Sequence, residues 1–196
     1  MSRYTGAKTR LCRREGAHVF QKGSRCENGK CSLNKKQQAP GMHGNSRRRL
    51  SIFGTQLREK QKIKRTYGLF EKPFRNYFDA AVREQGITGE VMLQLLERRL
   101  DNVVYRLGLV VSRPAARKLV TEGKVMVNGK VLSYPSYSTK VGDVVTSDAK
   151  LTIDGNRKTP LWLNLENKAG KVASLPTRDQ IDADFKEQLV VEYYSR

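Results

Sequence analysis

The chain has 196 residues; 38 are Lys or Arg and 19 Asp or Glu, a formal net charge of +19, and only 38% are hydrophobic. That length supplies one or two modest domains that need no disulfide staples, and three cysteines, an odd number, do not make a disulfide framework. No apolar run nears the roughly 20 residues of a membrane span, and the opening MSRYTGAKTRLCRREG lacks the apolar stretch of a secretion signal, so a cytosolic protein is expected.

Residues 1–75 carry 20 Lys and Arg against 4 Asp and Glu, a net of +16, whereas 76–196 carry 18 against 15, a net of +3. So lopsided a field repels itself and calls for a polyanion. Nucleic acid fits, because each phosphate neutralised releases condensed counterion. Anionic membrane does not, because a membrane-surface helix needs a strong apolar face, which the first 50 residues lack.

Residues 1–48, rich in Gly, Arg, Lys, Asn and Gln, read as a basic extension without its own core that orders on a partner. Over 51–85, Ile52, Phe53, Leu57, Ile63, Leu69, Phe70, Phe74, Tyr77, Phe78 and Val82 recur near helical spacing, and Gly68 and Pro73 divide the stretch into two or three helices. Thr88 then caps a strong helix with Leu93, Leu96, Leu100, Val103, Val104 and Leu107 on one face. The opposite face presents Arg98, Asn102 and Tyr105, and Gly108 ends it. Ser112 caps a second helix through Glu122, closed by Gly123. Ala115, Ala116, Leu119 and Val120 form its core stripe, with Arg113 and Arg117 on the flank.

The period then switches to alternation. Asn128-Gly129 between Lys124–Val127 and Lys130–Leu132 is a strong hairpin signal, because a type I′ turn needs positive φ twice. Val141–Val145 supplies a further strand. Trp162–Leu165, Lys171–Leu175 and Gln188–Tyr194 are three more strand candidates, with a short helix or loop over Thr177–Lys186. The expected fold class is α+β, with a basic extension (1–48), a helical body (49–87, completed by 177–196) and a module of two helices on an antiparallel sheet with a β-rich tail (88–176).

No catalytic constellation is present. His18 and His43 are the only histidines, and both lie in the basic extension. The phosphate-loop, nucleophile-elbow, dinucleotide and zinc-protease motifs are all missing. The acidic residues mostly neighbour Lys or Arg, as surface ion pairs do. The expectation is a protein that is not an enzyme and takes no small-molecule substrate.

Candidate RNA contacts in the basic half are Arg3, Lys8, Arg10, Arg13, Arg14, His43, the run Arg47-Arg48-Arg49, and Arg58, Lys60, Lys62, Lys64 and Arg65. Such charges set affinity and salt dependence. Selectivity for RNA needs 2′-hydroxyls, bulges and stacked bases, for which Tyr67 and Tyr105 are candidate platforms.

The run RLDNVVYRLGLVVSRPAARKLVTEGKVMVNGKVLSYPSYSTKVGDVV, from Arg98 to Val145, resembles the small RNA-binding module named after small-subunit ribosomal protein four. RYTGAKTRLCRREG, PGMHG, LREKQKIKRTYGLFEKPFRNYF, LLERRLDNVVYRLG and EQLVVEYYSR extend the resemblance to the bacterial small-subunit ribosomal protein four family over essentially the whole chain. In the module the start of the second helix meets RNA, which here is Ser112, Arg113, Arg117 and Lys118 around the small Ala116. A helix N-terminus flanked by arginines is physically a phosphate site. Lys124 and Asn128 continue that surface, with Arg98, Asn102, Tyr105 and Arg106 on the preceding helix. Replacing Arg113 and Arg117 is expected to weaken RNA binding without unfolding the chain.

The resemblance implies a structural protein of the cytoplasmic ribosome that binds the 5′ domain of small-subunit ribosomal RNA at a multi-helix junction and nucleates assembly of the subunit body. It also implies contact with neighbouring protein five, an interface that together with protein twelve bears on decoding accuracy. It puts Arg47 to Arg49 near messenger RNA and the C-terminal segment at the protein contact. No membrane partner is implied. The same module occurs in RNA-modifying enzymes, and charge alone also suits a generic basic RNA binder; these are the alternatives.

Cys12, Cys26 and Cys31 lie in a Gly/Lys-rich segment. Some family members carry four cysteines here and bind zinc, the first lying three residues before Cys12, where this chain has Thr9. Zinc at Cys12, Cys26 and Cys31 is therefore a candidate, with His18 or His43 open as fourth ligand. Three reduced thiols without metal are the other reading, and no cofactor is required.

Overall fold

The computed structural model describes residues 4–20, 26, 28–45, 49–147, 159–166, 169–181 and 184–196. It divides into two compact units, Met1–Gly89 with Asp184–Arg196, and Glu90–Ala183.

In the first unit, α1 (Lys8–Glu15) and the short α2 (Ser32–Lys35) precede two long helices, α3 (Ile52–Thr66) and α4 (Glu71–Arg83). Ser51 Oγ accepts the Gly54 N–H at 3.1 Å and so caps α3, while Gly68, at φ +65°, turns the chain out of it. Pro73 falls in the first turn of α4, where its missing N–H has no intrahelical partner to lose. Ile63, Tyr67, Leu69, Phe74, Phe78 and Ala81 are buried, whereas Ile52, Phe53 and Val82 remain largely exposed.

Two features of this unit differ from the sequence expectation. Residues 4–20 have a small core, formed by Cys12, Val19 and Phe20 with Leu11 and Ala17 against it. The C-terminal strand candidate is instead helix α8 (Glu187–Tyr194), packed along α3. Val and Tyr favour strands in isolation, but Leu189, Val190, Tyr193 and Tyr194 also share one helical face, and α3 and α4 cover it. Val190 is fully buried, the Tyr194 ring lies 4.7 Å from Phe78, and Gln56 Nε2 donates to Glu192 Oε2 at 2.8 Å.

In the second unit, α5 (Thr88–Glu97), α6 (Leu100–Arg106) and α7 (Arg113–Thr121) accompany an antiparallel sheet of β1 (Val125–Val127), β2 (Lys130–Val131), β3 (Val144–Ser147), β4 (Leu163–Glu166) and β5 (Ala169–Val172). The strand order is β2-β1-β3-β5-β4, with Val127 opposite Val145 and Val145 opposite Gly170. Asn128 and Gly129 both take positive φ (52° and 76°), the turn that their sequence demands. Among the described residues after β5, a short 3-10 turn spans Arg178–Gln180.

The single helix expected from Thr88 to Gly108 is broken between α5 and α6. Arg99 is extended (ψ 136°), and the backbone around it bonds to a distant segment instead of continuing the helix. Leu100 N–H donates to the Tyr137 carbonyl at 2.8 Å, and Thr139 N–H donates to the Arg98 carbonyl at 2.9 Å. The apolar residues keep helical spacing across the break, so the period conceals it. The core joins Leu100, Val103, Val104, Leu107, Ala116, Val120, Val125, Val145, Trp162 and Val172, with Ala115 and Leu119 packed on its margin.

Candidate nucleic-acid interface

Helix α7 begins at a capped N-terminus. Ser112 is extended, its Oγ accepts the Ala115 N–H at 3.4 Å, and Pro114 occupies the first turn. The open backbone N–H groups and positive dipole end of such a helix favour an anion. Arg113 and Arg117 leave this end one turn apart.

Buried partners set both arginines in place. Arg113 Nε donates to Asn102 Oδ1 at 2.8 Å, and its guanidinium lies 4.3 Å from the Tyr105 ring centroid. Asn102 donates in turn to Glu97 Oε2 at 2.7 Å, and Glu97 receives Nε and Nη2 of Arg106, each at 2.9 Å. Arg117 Nη1 donates to Asp101 Oδ2 at 3.3 Å, and the same carboxylate takes Arg99 Nε at 3.0 Å and Nη2 at 2.7 Å. Glu97, Arg99, Asp101, Asn102 and Arg106 are all buried. Two carboxylates thus stand against four guanidinium groups, and the excess is positive where the surroundings screen it poorly.

This geometry corrects the outer face expected for Asn102 and Tyr105. Both are buried, and Arg106 with them, because α7 packs against that side of α6. They position Arg113 from below and do not present themselves at the surface. Arg98 is half-buried, with Nε donating to the Thr139 carbonyl at 3.1 Å. Arg113 and Arg117 are each tied to a buried acidic or amide partner.

Lys118 and Lys124 are exposed and flank Glu122, at 3.6 Å and 2.8 Å. Asn128 is exposed at the hairpin, but its amide serves the turn, donating to Asp143 Oδ1 and accepting the Val144 N–H, both at 2.9 Å. Lys130 and Lys140, which charge clustering did not single out, are exposed on this unit. Their signal was position, beside the hairpin turn and before Gly142.

In the first unit much of the expected phosphate-binding charge is already paired. Arg58 and Arg65 both donate to Glu15 Oε1, the former at 3.0 Å. Burial pushes the Glu15 carboxyl up against the pull of Arg58 and Arg65, and burial also pushes Arg58 down. Lys60 and Lys64 reach the two oxygens of Glu71 at 2.6 Å and 2.7 Å, and Tyr194 donates to Glu71 at 2.8 Å. Partial burial raises the Glu71 carboxyl, but these three hydrogen bonds outweigh it and hold it down to about 2. Lys62 Nζ donates to the Asp184 carbonyl at 2.5 Å.

Lys60 and Tyr67, expected at the RNA, are each only 4% exposed. Lys60 lies 4.3 Å from the Tyr193 ring centroid, and Tyr67 packs 6.2 Å from Phe185, so both belong to the packing of α8 and its approach. Arg10, Arg14, His43 and Arg49 are exposed. Lys8 and Arg13 are half-exposed, the latter donating to the Gln38 carbonyl at 2.9 Å. Arg3, Arg47 and Arg48 lie outside the described residues. Lys30, Lys35, Lys36, Lys72, Arg75 and Arg83 add exposed charge beyond the expected contacts.

Of the proposed metal ligands, Cys26 and Cys31 come together with His18, their donor atoms all within 4.8 Å of one another. Cys12 is outside that group. It sits on the inner face of α1, buried with Val19 and Phe20.

The description Ribosomal protein S4/S9 N-terminal domain matches residues 3–97, and S4 domain matches 98–145. The small ribosomal subunit protein uS4 of Dictyoglomus thermophilum is 50% identical over 206 residues, covering 100% of both chains. That of Ruminiclostridium cellulolyticum is 51% identical over 208 residues, and that of Clostridium tetani 50% over 206, both again covering 100% of each chain. The chain belongs to the uS4 family. It is therefore a structural, non-enzymatic protein of the small ribosomal subunit in the cytoplasm, with an RNA-binding S4 domain, ribosomal RNA and ribosomal proteins as its partners and no required cofactor. The RNA-modifying enzyme alternative falls with that membership. Among the described residues no helix is long and apolar enough to cross a membrane.

Proposed function

We propose that this chain clamps a multi-helix junction in the 5′ domain of small-subunit ribosomal RNA and so nucleates assembly of the subunit body. The carrying observation is the α7 N-terminus, where a capped helix start and two arginines held by buried Glu97, Asn102 and Asp101 form a rigid cationic edge. Rigidity matters because an arginine already ordered loses less freedom on meeting a phosphate than a mobile one. No bond is made or broken; neutralising crowded phosphates allows RNA helices to stay close. The exposed lysines Lys118, Lys124, Lys130 and Lys140 supply further phosphate contacts on this unit, as do Arg10, Arg14 and Arg49 on the other.

Contact with neighbouring protein five is assigned to the C-terminal segment, now helix α8. Beside it Ile52 and Phe53 leave apolar surface uncovered, and the Phe53 ring lies 5.5 Å from Tyr193. Through that contact the chain takes part in decoding accuracy, with Arg47 to Arg49 alongside messenger RNA.

Binding to a transcript of the 5′ domain, titrated with salt beside duplex DNA of similar length, tests the reading. Tight RNA binding near ~150 mM salt, where DNA has fallen away steeply, is expected. If both fall together with one slope, the chain is a generic basic binder and the junction assignment fails.

A further inference from the structure

We propose that Tyr134 is a base-stacking residue of the second unit, the ring on which one unstacked base of the ribosomal RNA packs. This rests on the RNA-binding reading above and adds what its cations do not supply. Lysines and arginines neutralise phosphates on any strand, whereas an open ring takes a base that has left its helix, as bases in RNA loops and bulges do.

The rings expected to stack, Tyr67 and Tyr105, are spent in packing, at 4% and 2% exposure. The second unit has four aromatic residues, Tyr105, Tyr134, Tyr137 and Trp162. Trp162 is fully buried, and Tyr137 packs on the margin of the core with its hydroxyl 3.5 Å from Asp143 Oδ2. Of the four, Tyr134 is the one turned outward, with 66% of its surface exposed.

The backbone that carries this ring is fixed from both sides. Before it, Leu132 packs against the core and its N–H donates to the Val125 carbonyl at 3.1 Å. After it, Pro135 is buried, and Tyr137 N–H donates to the Tyr134 carbonyl at 3.0 Å. That bond closes a turn with proline in its second position, where a fixed φ suits it. The turn is pinned in turn to the start of α6, since Asp101 N–H donates to the Pro135 carbonyl at 3.3 Å and Leu100 N–H to the Tyr137 carbonyl at 2.8 Å. Asp101 also receives Arg117 Nη1 at 3.3 Å, so one residue joins the turn bearing Tyr134 to an arginine of the α7 start. Exposed Lys130 and Lys140 bracket the turn in sequence, and a base that stacks brings its own phosphates to such cations. With the backbone already ordered, stacking immobilises little beyond the two χ angles of the ring.

These hydrogen bonds are made by main-chain groups, so the side chain can be removed while the turn is kept. Full-length Tyr134→Ala and Tyr134→Phe are to be titrated with the 5′-domain transcript at several salt concentrations beside the unmodified chain. Tyr134→Ala should bind at least about five-fold more weakly. Its salt slope should be unchanged, because stacking releases no counterion. Tyr134→Phe, which keeps the ring face, should bind within about two-fold of the unmodified chain. Urea unfolding followed by Trp162 fluorescence should coincide for all three. A smaller loss in Tyr134→Ala would refute stacking and leave the ring to a protein neighbour. Tyr134→Phe binding as weakly as Tyr134→Ala would place the contact at the hydroxyl instead, and a shallower slope or a lowered urea midpoint would trace the loss to charge or to folding; each overturns the assignment. A chain that prefers the transcript over duplex DNA yet ignores Tyr134→Ala sinks this inference alone, whereas an unmodified chain without that preference sinks the junction reading and this one with it.

Discussion

Glu97 is a fully buried carboxylate of the second unit, and Glu97→Gln tests its role with almost no change of shape. Its side chain is 0% exposed and takes both Nε and Nη2 of Arg106 at 2.9 Å. Amide for carboxylate keeps one acceptor, turns another into a donor facing a cation, and leaves Arg106 buried without its counter-charge. Breaking a buried pair from one side costs about 3–5 kcal/mol, and the retained acceptor places this variant near ~3 kcal/mol. A whole domain is stable by only about 5–15 kcal/mol. The chain has one tryptophan, Trp162, fully buried in the same unit, so its fluorescence follows this unit through a urea titration. The midpoint should fall by about 1–3 M with unchanged slope. Adding Arg106→Met should restore most of the loss, because a well-packed apolar replacement of both partners is often neutral. A loss below ~1 kcal/mol, or a double variant as unstable as the two single losses summed, would refute a buried network that depends on charge balance.

Gly170→Ala should destabilise the same unit by about 1–3 kcal/mol, since a Cβ there would sit 2.2 Å from Leu107 Cδ1 in a filled core; thermal unfolding followed by Trp162 measures it. Glu71 carries a pH signature in the other unit, because its folded value of about 2 lies below the ordinary 4.5. Its stabilisation is present above pH 4.5 and lost as pH falls toward 2; with the side chain 46% exposed, screening leaves about 1–2 kcal/mol. Glu15 runs the opposite way, its raised carboxyl contributing at low pH and losing that contribution as pH rises through its folded value. Comparing unmodified chain with Glu71→Gln by circular dichroism isolates the Glu71 slope, and identical acid-unfolding curves would count against it. Lys118→Ala should leave stability unchanged while lowering the salt slope of RNA binding by about 1, which repeated titration at several salt concentrations would detect.

The parts of the fold that sequence foretold rest on local chemistry. Asn128-Gly129 names its own turn, because few residues other than glycine and asparagine accept positive φ. Ser51 and Ser112 announce helix starts through hydroxyls that cap nearby N–H groups. The core stripe of α7 was legible from spacing, and the RNA-binding character from charge. The candidate site was legible only in outline, since Arg113, Arg117, Lys118 and Lys124 could be named but the inward turn of Asn102, Tyr105 and Arg106 could not. Each of those three carries a polar group, and such groups are normally assigned to the surface. For Asn102 and Arg106 hydrogen bonds to Glu97 and from Arg113 offset the cost of burial, and the Tyr105 ring lies against the Arg113 guanidinium.

Sequence by itself determined the charge asymmetry, the switch from helical to alternating period, and family membership, because each is a property of composition or order along the chain. Tertiary structure decided which charges face inward. It broke the long helix at Arg99 by offering the backbone partners at Tyr137 and Thr139, and it made a helix of the Val- and Tyr-rich C-terminus by covering one face with α3 and α4. It also brought His18 close to Cys26 and Cys31. The physical reason is common to all of these. Burial and pairing depend on which segments meet, and residues such as Arg58 and Glu15, 43 positions apart in the chain, meet only once the fold is closed.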